Sequence, residues 1–273
     1  MLTVIVPASN EADLIGRCLA ALLASTFSQP RRWQLIVVAN GCQDNTADIA
    51  RSYGLAAQQA NVGLLVIDIE LGNKLNAINV GETYAQGDAL AYVDADVVVE
   101  TQLLDQLSKA LANRQPTYAT GTLQIARPRT WATRTYARFW SRLPFVGDGA
   151  AGCGVFAVNR EGRDRWGNFP PIISDDTFVR LQFAPSERIN VSAAFIWPMV
   201  EGFANLVRVR RRQDRGVEEI ARLYPHLVAN EHKSEARLLH LACVDPIGFG
   251  FYALVALMTK LPAPSGDRWV RGR

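Results

Sequence analysis

The alternation of short apolar runs with longer amphipathic ones dictates what the first hundred residues can become. The apolar runs cover residues 2–6, 34–39, 64–69 and 89–93, and the amphipathic ones 14–24, 46–53 and 75–84. Runs that short and that apolar suit strands buried on both faces, and the amphipathic stretches suit helices that cover them. The pattern predicts βαβ units and therefore a mostly parallel sheet with helices on both faces. A chain of 273 residues can hold one large domain, or one domain with an appendage, around a substantial core.

In an open α/β sheet, ligands bind in the crevice beyond the carboxyl ends of the strands. All four apolar runs end in polar residues. Pro7-Ala8-Ser9-Asn10-Glu11 follows the first, Asn40-Gly41-Cys42-Gln43-Asp44-Asn45-Thr46 the second, Gly72-Asn73-Lys74-Leu75-Asn76-Ala77 the third and Asp94-Ala95-Asp96 the fourth. Hard carboxylate oxygens such as those of Asp94 and Asp96 hold Mg2+ or Mn2+ jointly with the phosphates of a substrate. Lys74 suits a phosphate, and Asn10 and Glu11 suit a base or ribose. Taken singly, each rim reads equally well as a helix cap or a turn. Four on one edge point beyond capping, to a nucleoside diphosphate compound.

Charge divides unevenly. Residues 1–100 hold 5 Lys or Arg against 11 Asp or Glu, whereas residues 101–273 hold 24 against 15. An acidic first part fits a metal-assisted site; a basic second part fits an anionic acceptor, a membrane surface or nucleic acid. Cys18, Cys42, Cys153 and Cys243 are far apart with no Cys-x-x-Cys pair, which argues against zinc. The chain enters its first apolar run without a basic n-region or cleavage site, so a cytosolic, reducing location is expected.

Beyond residue 100 the pattern predicts a helix carrying Leu103, Leu104, Leu107 and Leu111, then a strand around 118–125. If 127–143 is helical, Arg134, Arg138 and Arg142 fall on one side and Tyr136, Phe139, Trp140 and Leu143 on the other. Such a helix either lies in a membrane interface with its aromatics among acyl chains, or packs on the sheet. Residues 238–258 are apolar except for His240 and Asp245, and Pro246 interrupts them. A spanning helix needs about 20 apolar residues. The uninterrupted 247–258 is too short, leaving a re-entrant or interfacial hairpin, a span, or a buried core helix.

Two familiar signatures are set aside. Gly147-Asp148-Gly149-Ala150-Ala151-Gly152 spells Gly-x-Gly-x-x-Gly, but no strand pattern leads into it, as a dinucleotide site requires. The Gly-x-Ser-x-Gly elbow of hydrolases is missing.

In order and spacing, the motifs resemble the family 2 glycosyltransferases, whose catalytic domain has the GT-A fold. The resemblance rests on Pro7–Glu11, Asn40–Thr46, the Gly-x-Lys-x-x-Ala-x-Asn stretch at Gly72–Asn79 and Asp94–Asp96. It continues through Gly152-Cys153-Gly154-Val155-Phe156-Ala157, the Asp175-Asp176 pair, and Arg208, Arg210, Arg211, Arg212, Gln213 and Arg215 before Gly216. Where many members carry Asp-Asp before the glycine, this chain has Ala39-Asn40, so the acidic contact to the base, commonly uracil, is absent. No Trp follows the arginines, which speaks against a processive polymerase. On its own, the arginine cluster also fits a nucleic-acid patch or a solvated loop.

The resemblance implies a nucleotide-sugar site of Pro7, Asn10, Glu11, Asn40, Lys74, Asp94, Arg211, Arg212 and Arg215, with Asp96 and Asp94 on Mn2+ or Mg2+. It implies acceptor contacts at Gly152, Cys153 and Gly154, and Asp176, or else Asp175, as general base. Residues 1–216 would form the GT-A domain, 1–100 binding the nucleotide sugar and 101–216 the acceptor. Residues 217–273 would form a helical, membrane-associated segment. The expected activity is metal-dependent, inverting transfer from a nucleotide sugar, with UDP the leading carrier. The acceptor would be lipid-linked or a polysaccharide, in bacterial-type cell-surface glycan synthesis. The setting would be the cytoplasmic face of the inner membrane, or the cytoplasm with peripheral association, without nucleic acid as partner. Alternatives are a nucleotidyltransferase, disfavoured because no Gly- and basic-rich loop follows the first strand, and a non-catalytic membrane-associated protein with a degenerate transferase fold.

Overall fold

The computed structural model describes residues 1–29, 32–147, 150–231 and 238–262. Its strands are Leu2–Ala8 (β1), Trp33–Asn40 (β2), Val62–Ile69 (β3), Ala89–Val93 (β4), Val98–Val99 (β5), Tyr118–Ile125 (β6), Val155–Asn159 (β7) and Arg188–Trp197 (β8). They form one eight-stranded sheet in the order β3-β2-β1-β4-β7-β6-β8-β5. The half containing β3, β2, β1 and β4 is parallel, as the βαβ alternation predicts. Every residue of β1 is buried, because helices cover both faces. Leu19 and Leu22 of the Ile15–Leu23 helix pack with Val4 and Val6 on one face. Ile78 of the Lys74–Thr83 helix packs with Ile5 and Ile36 on the other.

Two features of the sheet depart from a plain parallel reading. Strand β7 inserts antiparallel between β4 and β6, pairing Val93 with Val155. Strand β8 continues parallel to β6 and carries β5 antiparallel on its outer edge.

The Trp131–Trp140 helix keeps the sidedness read from the sequence. Arg134, Arg138 and Arg142 are exposed, while Tyr136, Phe139, Trp140 and Leu143 are buried. Their neighbours, however, are Leu206 and Val207 of the Phe203–Leu223 helix and Val255 of the Pro246–Lys260 helix. The aromatic side thus meets two later helices, and not acyl chains. Arg210 fixes this junction: its guanidinium donates to Asp214, to the Tyr136 hydroxyl at 3.3 Å and to the Tyr252 hydroxyl at 2.9 Å.

Residues 238–258 resolve into the helices Leu238–Val244 and Pro246–Lys260, separated at Asp245. Asp245 caps the second by accepting from the Gly248 N–H at 2.9 Å, and it accepts a bidentate pair from Arg138 at 2.8 and 2.7 Å. The bond from Arg138 holds its carboxyl below the usual range. Among the described residues no helix is long and apolar enough to cross a membrane. The Phe203–Leu223 helix runs unbroken through position 216, where the sequence placed a domain boundary. In the Gly-x-Gly-x-x-Gly stretch, Asp148 and Gly149 lie outside the described residues, and a short helix, Pro144–Gly147, leads into it.

Candidate functional site

The loops that leave β1 and β2 are tied into one rim. Asn10 sits at φ 47°, a left-handed conformation that Asn tolerates better than most residues, and its side-chain oxygen accepts from the Gln43 N–H. The Glu11 N–H donates to the Thr46 hydroxyl at 2.7 Å, and the Ala12 N–H to Asp44 at 3.1 Å. The loop after β3 then closes on the loop after β2. Gly41, at φ 56°, approaches Gly72 so tightly that a Cβ on Gly41 would lie 2.6 Å from the Gly72 Cα. Only glycine fits there.

Along this rim opens a cavity of about 750 Å³. Asn10, Glu11, Lys74, Asp94 and Asp96 line one side of it, and Trp140, Trp197, Met199 and Leu206 the other. A smaller space of about 110 Å³ adjoins it, bounded by Lys74, Asp94, Cys153, Gly154, Asp175, Asp176 and Arg212. Strand β7 brings these two sets together: because Val155 pairs with Val93, Gly154 falls beside Asp94, and its carbonyl accepts from the Asp94 N–H at 2.8 Å.

Lys74 stands between the two spaces. Its ammonium lies 2.8 Å from Asp94 Oδ1 and 2.9 Å from Asp175 Oδ2. Burial opposes its charge, but the carboxylates of Asp175 and Asp94 prevail and push its pKa above the ordinary lysine value. Asp176 moves the other way from a typical carboxyl. Burial, then the charge of Asp175, raise its pKa to about 6, against the pull of Lys74. A carboxyl so placed is neutral or ionised within the working range of pH, as suits a proton acceptor. Burial pushes the Cys153 thiol well up, which leaves it inert.

Among the described residues no group of three or more His, Cys, Asp or Glu side chains forms a ready cation cage. Asp94 and Asp96 face the same cavity one residue apart, a donor set that fits Mg2+ or Mn2+ when phosphate oxygens complete the coordination.

The family model described as glycosyl transferase family 2 matches residues 3–161, more than half of the chain. The chain belongs to glycosyl transferase family 2. It is 30% identical over 126 residues to glycosyltransferase AglE of Haloferax volcanii, covering 46% of this chain and 40% of that protein. It is 32% identical over 174 residues to a 4,4'-diaponeurosporenoate glycosyltransferase of Staphylococcus aureus, covering 63% and 42%. The chain therefore spans less than half the length of these relatives. Among solved structures, mannosyltransferase PcManGT from Pyrobaculum calidifontis, in complex with GDP-Man and Mn2+, superposes with a TM-score of 0.63 at 20% identity. The match covers 96% of this chain and 76% of that one. S. aureus TarS 1-349 in complex with UDP gives 0.58 at 15% identity, covering 93% and 70%. These likenesses show the GT-A fold.

Of the residues that the family resemblance singled out, Pro7, Asn10, Glu11, Asn40, Lys74, Asp94, Asp96 and Arg212 line the larger cavity. Cys153, Gly154, Asp175 and Asp176 line the smaller one. Gly152 lines neither cavity and abuts the Tyr118 hydroxyl, leaving no room for a Cβ. The amide nitrogen of Asn40 is committed to the fold, donating to the carbonyls of Ala8 at 2.8 Å and Val38 at 3.3 Å. Two expected members of the arginine clamp lie elsewhere. Arg211 donates to the carbonyls of Met258, Thr259 and Leu261 at the end of the Pro246–Lys260 helix, and Arg215 is exposed outside both cavities. The reason is helical geometry: successive residues point about 100° apart, so a cluster in sequence disperses in space.

Lining residues that the sequence did not single out as a site include Trp197, Pro198, Met199, Val200, Leu206 and Val209. Tyr136 and Trp140 had a signal in the aromatic side of their helix, and Arg210 and Gln213 in the arginine cluster.

Proposed function

We propose that this protein is an inverting glycosyltransferase that moves a sugar from a nucleotide sugar, with UDP as the leading carrier, to a lipid-linked or polysaccharide acceptor. Its place would be the cytoplasmic side of a membrane, in cell-surface glycan synthesis of the bacterial type. The observation that carries the reading is the meeting of Lys74 with Asp94 on the donor side and Asp175 on the acceptor side, within 2.9 Å of each. Lys74 would thus stand between the leaving diphosphate and the attacking hydroxyl.

In this reading the rim of Asn10, Glu11 and Asn40 seats the nucleoside, and Lys74 and Arg212 face the diphosphate. Asp96, with Asp94, would hold Mn2+ or Mg2+. A bound divalent ion supplies Lewis-acid neutralisation of the charge on the departing diphosphate. Asp176 accepts the proton of the attacking acceptor hydroxyl. The new C–O bond forms on the face of the anomeric carbon opposite the diphosphate, and the electrons of the broken bond leave on the diphosphate oxygen. General-base assistance of this kind is worth on the order of 10²–10⁴ in rate. PcManGT with GDP-Man and Mn2+, and TarS with UDP, are proteins of the same fold holding ligands of this class.

The test is thermal stability of the full chain with Mn2+ and UDP, GDP, dTDP, CDP or NAD, beside Asp96→Asn, since a ligand that binds only the native state raises its stability. Stabilisation by one nucleoside diphosphate that requires both Mn2+ and Asp96 is expected. No stabilisation by any nucleotide would sink the proposal.

A further inference from the structure

The strand-end loops give the larger cavity a polar lining, while Trp140, Trp197, Met199, Val200, Leu206 and Val209 give it an apolar one, with Trp140 and Trp197 stacked at 6.0 Å. Of the polar groups beside these, Arg210 is engaged with Asp214 and the hydroxyls of Tyr136 and Tyr252, and Arg212 and Gln213 border both cavities. A glycan strand seated there would lose water from many hydroxyls and find few partners in return, a cost that hydrocarbon does not incur.

The apolar lining also leads outward. Met199 and Val200 pack in the same cluster as Phe203, whose ring lies 5.7 Å from Phe251, and Phe251 meets Trp131 at 5.3 Å. Trp131 is 62% exposed. From there the Pro246–Lys260 helix leaves Ile247, Leu254 and Leu257 in solvent, an exposed apolar patch on the helix that carries Phe251. Arg134 stands exposed on the neighbouring Trp131–Trp140 helix, while the exposed Arg138 and Arg142 share the single carboxylate of Asp245, which leaves this edge net positive toward an anionic headgroup.

We infer that the apolar half of the cavity is an acceptor subsite for a hydrocarbon chain, so that the acceptor is an amphipath whose reacting hydroxyl adjoins a lipid tail. This inference rests on the transferase reading and chooses between its two acceptor classes. The tail lies along Met199, Val200 and Leu206 and leaves toward Phe251, while the hydroxyl reaches Asp176 past Lys74.

The experiment is a tryptophan-fluorescence titration of the full chain with methyl, hexyl, octyl and decyl β-glucosides below their micelle concentrations. Methyl maltoside and maltotriose are run beside them, and thermal shifts with UDP, GDP and Mn2+ in parallel. Burial of the chain predicts an affinity gain on the order of three- to fourfold per methylene until the subsite is full. That gain should flatten in Val209→Asp and Met199→Gln variants that still unfold cooperatively. Affinity that ignores chain length but grows with the number of sugars overturns the inference in favour of a glycan acceptor. A chain-length dependence that survives both substitutions puts the alkyl probe on the outer stripe and overturns the cavity subsite. Failure of every nucleoside diphosphate to bind, with the chain-length dependence intact, removes the transferase reading while leaving a lipid-binding cavity.

Discussion

Lys74 and Asp175, from opposite halves of the chain, meet at 2.9 Å at the point where the two cavities join. The contact makes Asp175 part of the same electrostatic unit as Asp94. Asp175 is only 8% exposed, so its carboxylate faces that ammonium more than water.

Lys74→Met should therefore destabilise the protein. The side chain of Lys74 is 43% exposed, and solvent screening reduces the loss to about 1–3 kcal/mol at pH 8. With its pKa raised, Lys74 stays charged through neutral pH, and its contribution is lost only as the pH rises above the ordinary lysine value. Urea unfolding of wild type and variant at pH 8 and at about pH 11 compares the two, and an equal difference at both would contradict the electrostatic account.

Asp176→Asn should separate catalysis from stability. Transfer falls by on the order of 10²–10⁴, while affinity for the nucleoside diphosphate stays nearly unchanged. Burial and the charge of Asp175 push the Asp176 carboxyl up to about 6 in the fold, above the usual carboxylate range, so the unfolded chain ionises first as pH rises. The native protein loses stability across that window and does not regain it above. The Asn variant escapes this and should be more stable at pH 8 by roughly 1–3 kcal/mol. In the wild type, transfer should rise with pH through about 6, measured as a pH–rate profile.

Arg211 and Arg212, adjacent in sequence, should behave as unrelated residues. Arg212→Ala should weaken nucleotide binding by about tenfold, the loss of one charge-assisted contact. Arg211→Ala should leave that affinity within about twofold and speed amide exchange at the end of the Pro246–Lys260 helix, whose carbonyls it binds. Calorimetry and hydrogen exchange on the two variants settle the assignment, and equal losses of nucleotide affinity would overturn it.

Gly216→Val tests the support of the proposed general base, Asp176. A Cβ at Gly216 would lie 2.9 Å from Ser174 Oγ, and the same helix accepts the Ile173 N–H through Glu219 at 2.8 Å. The added side chain must displace the segment that carries Asp175 and Asp176, at a cost of about 1–3 kcal/mol. The expected signature is a fall in kcat with nucleotide affinity preserved, and an unchanged kcat would rule out this support role.

The parallel half of the fold was legible in the sequence because burial makes β1, β2 and β4 nearly uninterrupted apolar runs. β4 matches the run at 89–93 residue for residue, β1 extends its run into the adjoining polar rim, β2 adds Trp33 at its start and Asn40 at its end, and the edge strand β3 begins two residues before its run. Strand β7 was hidden: Val155–Asn159 is short, and its antiparallel place between β4 and β6 depends on partners distant in sequence. The Phe203–Leu223 helix was obscured by its arginines, which interrupt the apolar spacing carried by Leu206, Val207 and Ile220. On the donor side the motifs sit directly after strands and so share one edge by construction. The apolar half of the cavity comes from three separate segments, around Trp140, Trp197 and Val209, and no local spacing reports their meeting.

The antiparallel strand β7 also sets a schedule for the nascent chain. The strands β1 to β4 can pair as soon as they leave the ribosome, but the outer edge of β4 then stays open until Val155–Asn159 has been made. The same pairing that closes this edge brings the Gly154 carbonyl to the Asp94 amide. A chain halted before Val155 thus carries an unprotected strand and an Asp94 amide without its partner, and one event cures both. Asp175, Asp176 and Arg212 are made only later, so this edge is protected from aggregation before the site is complete.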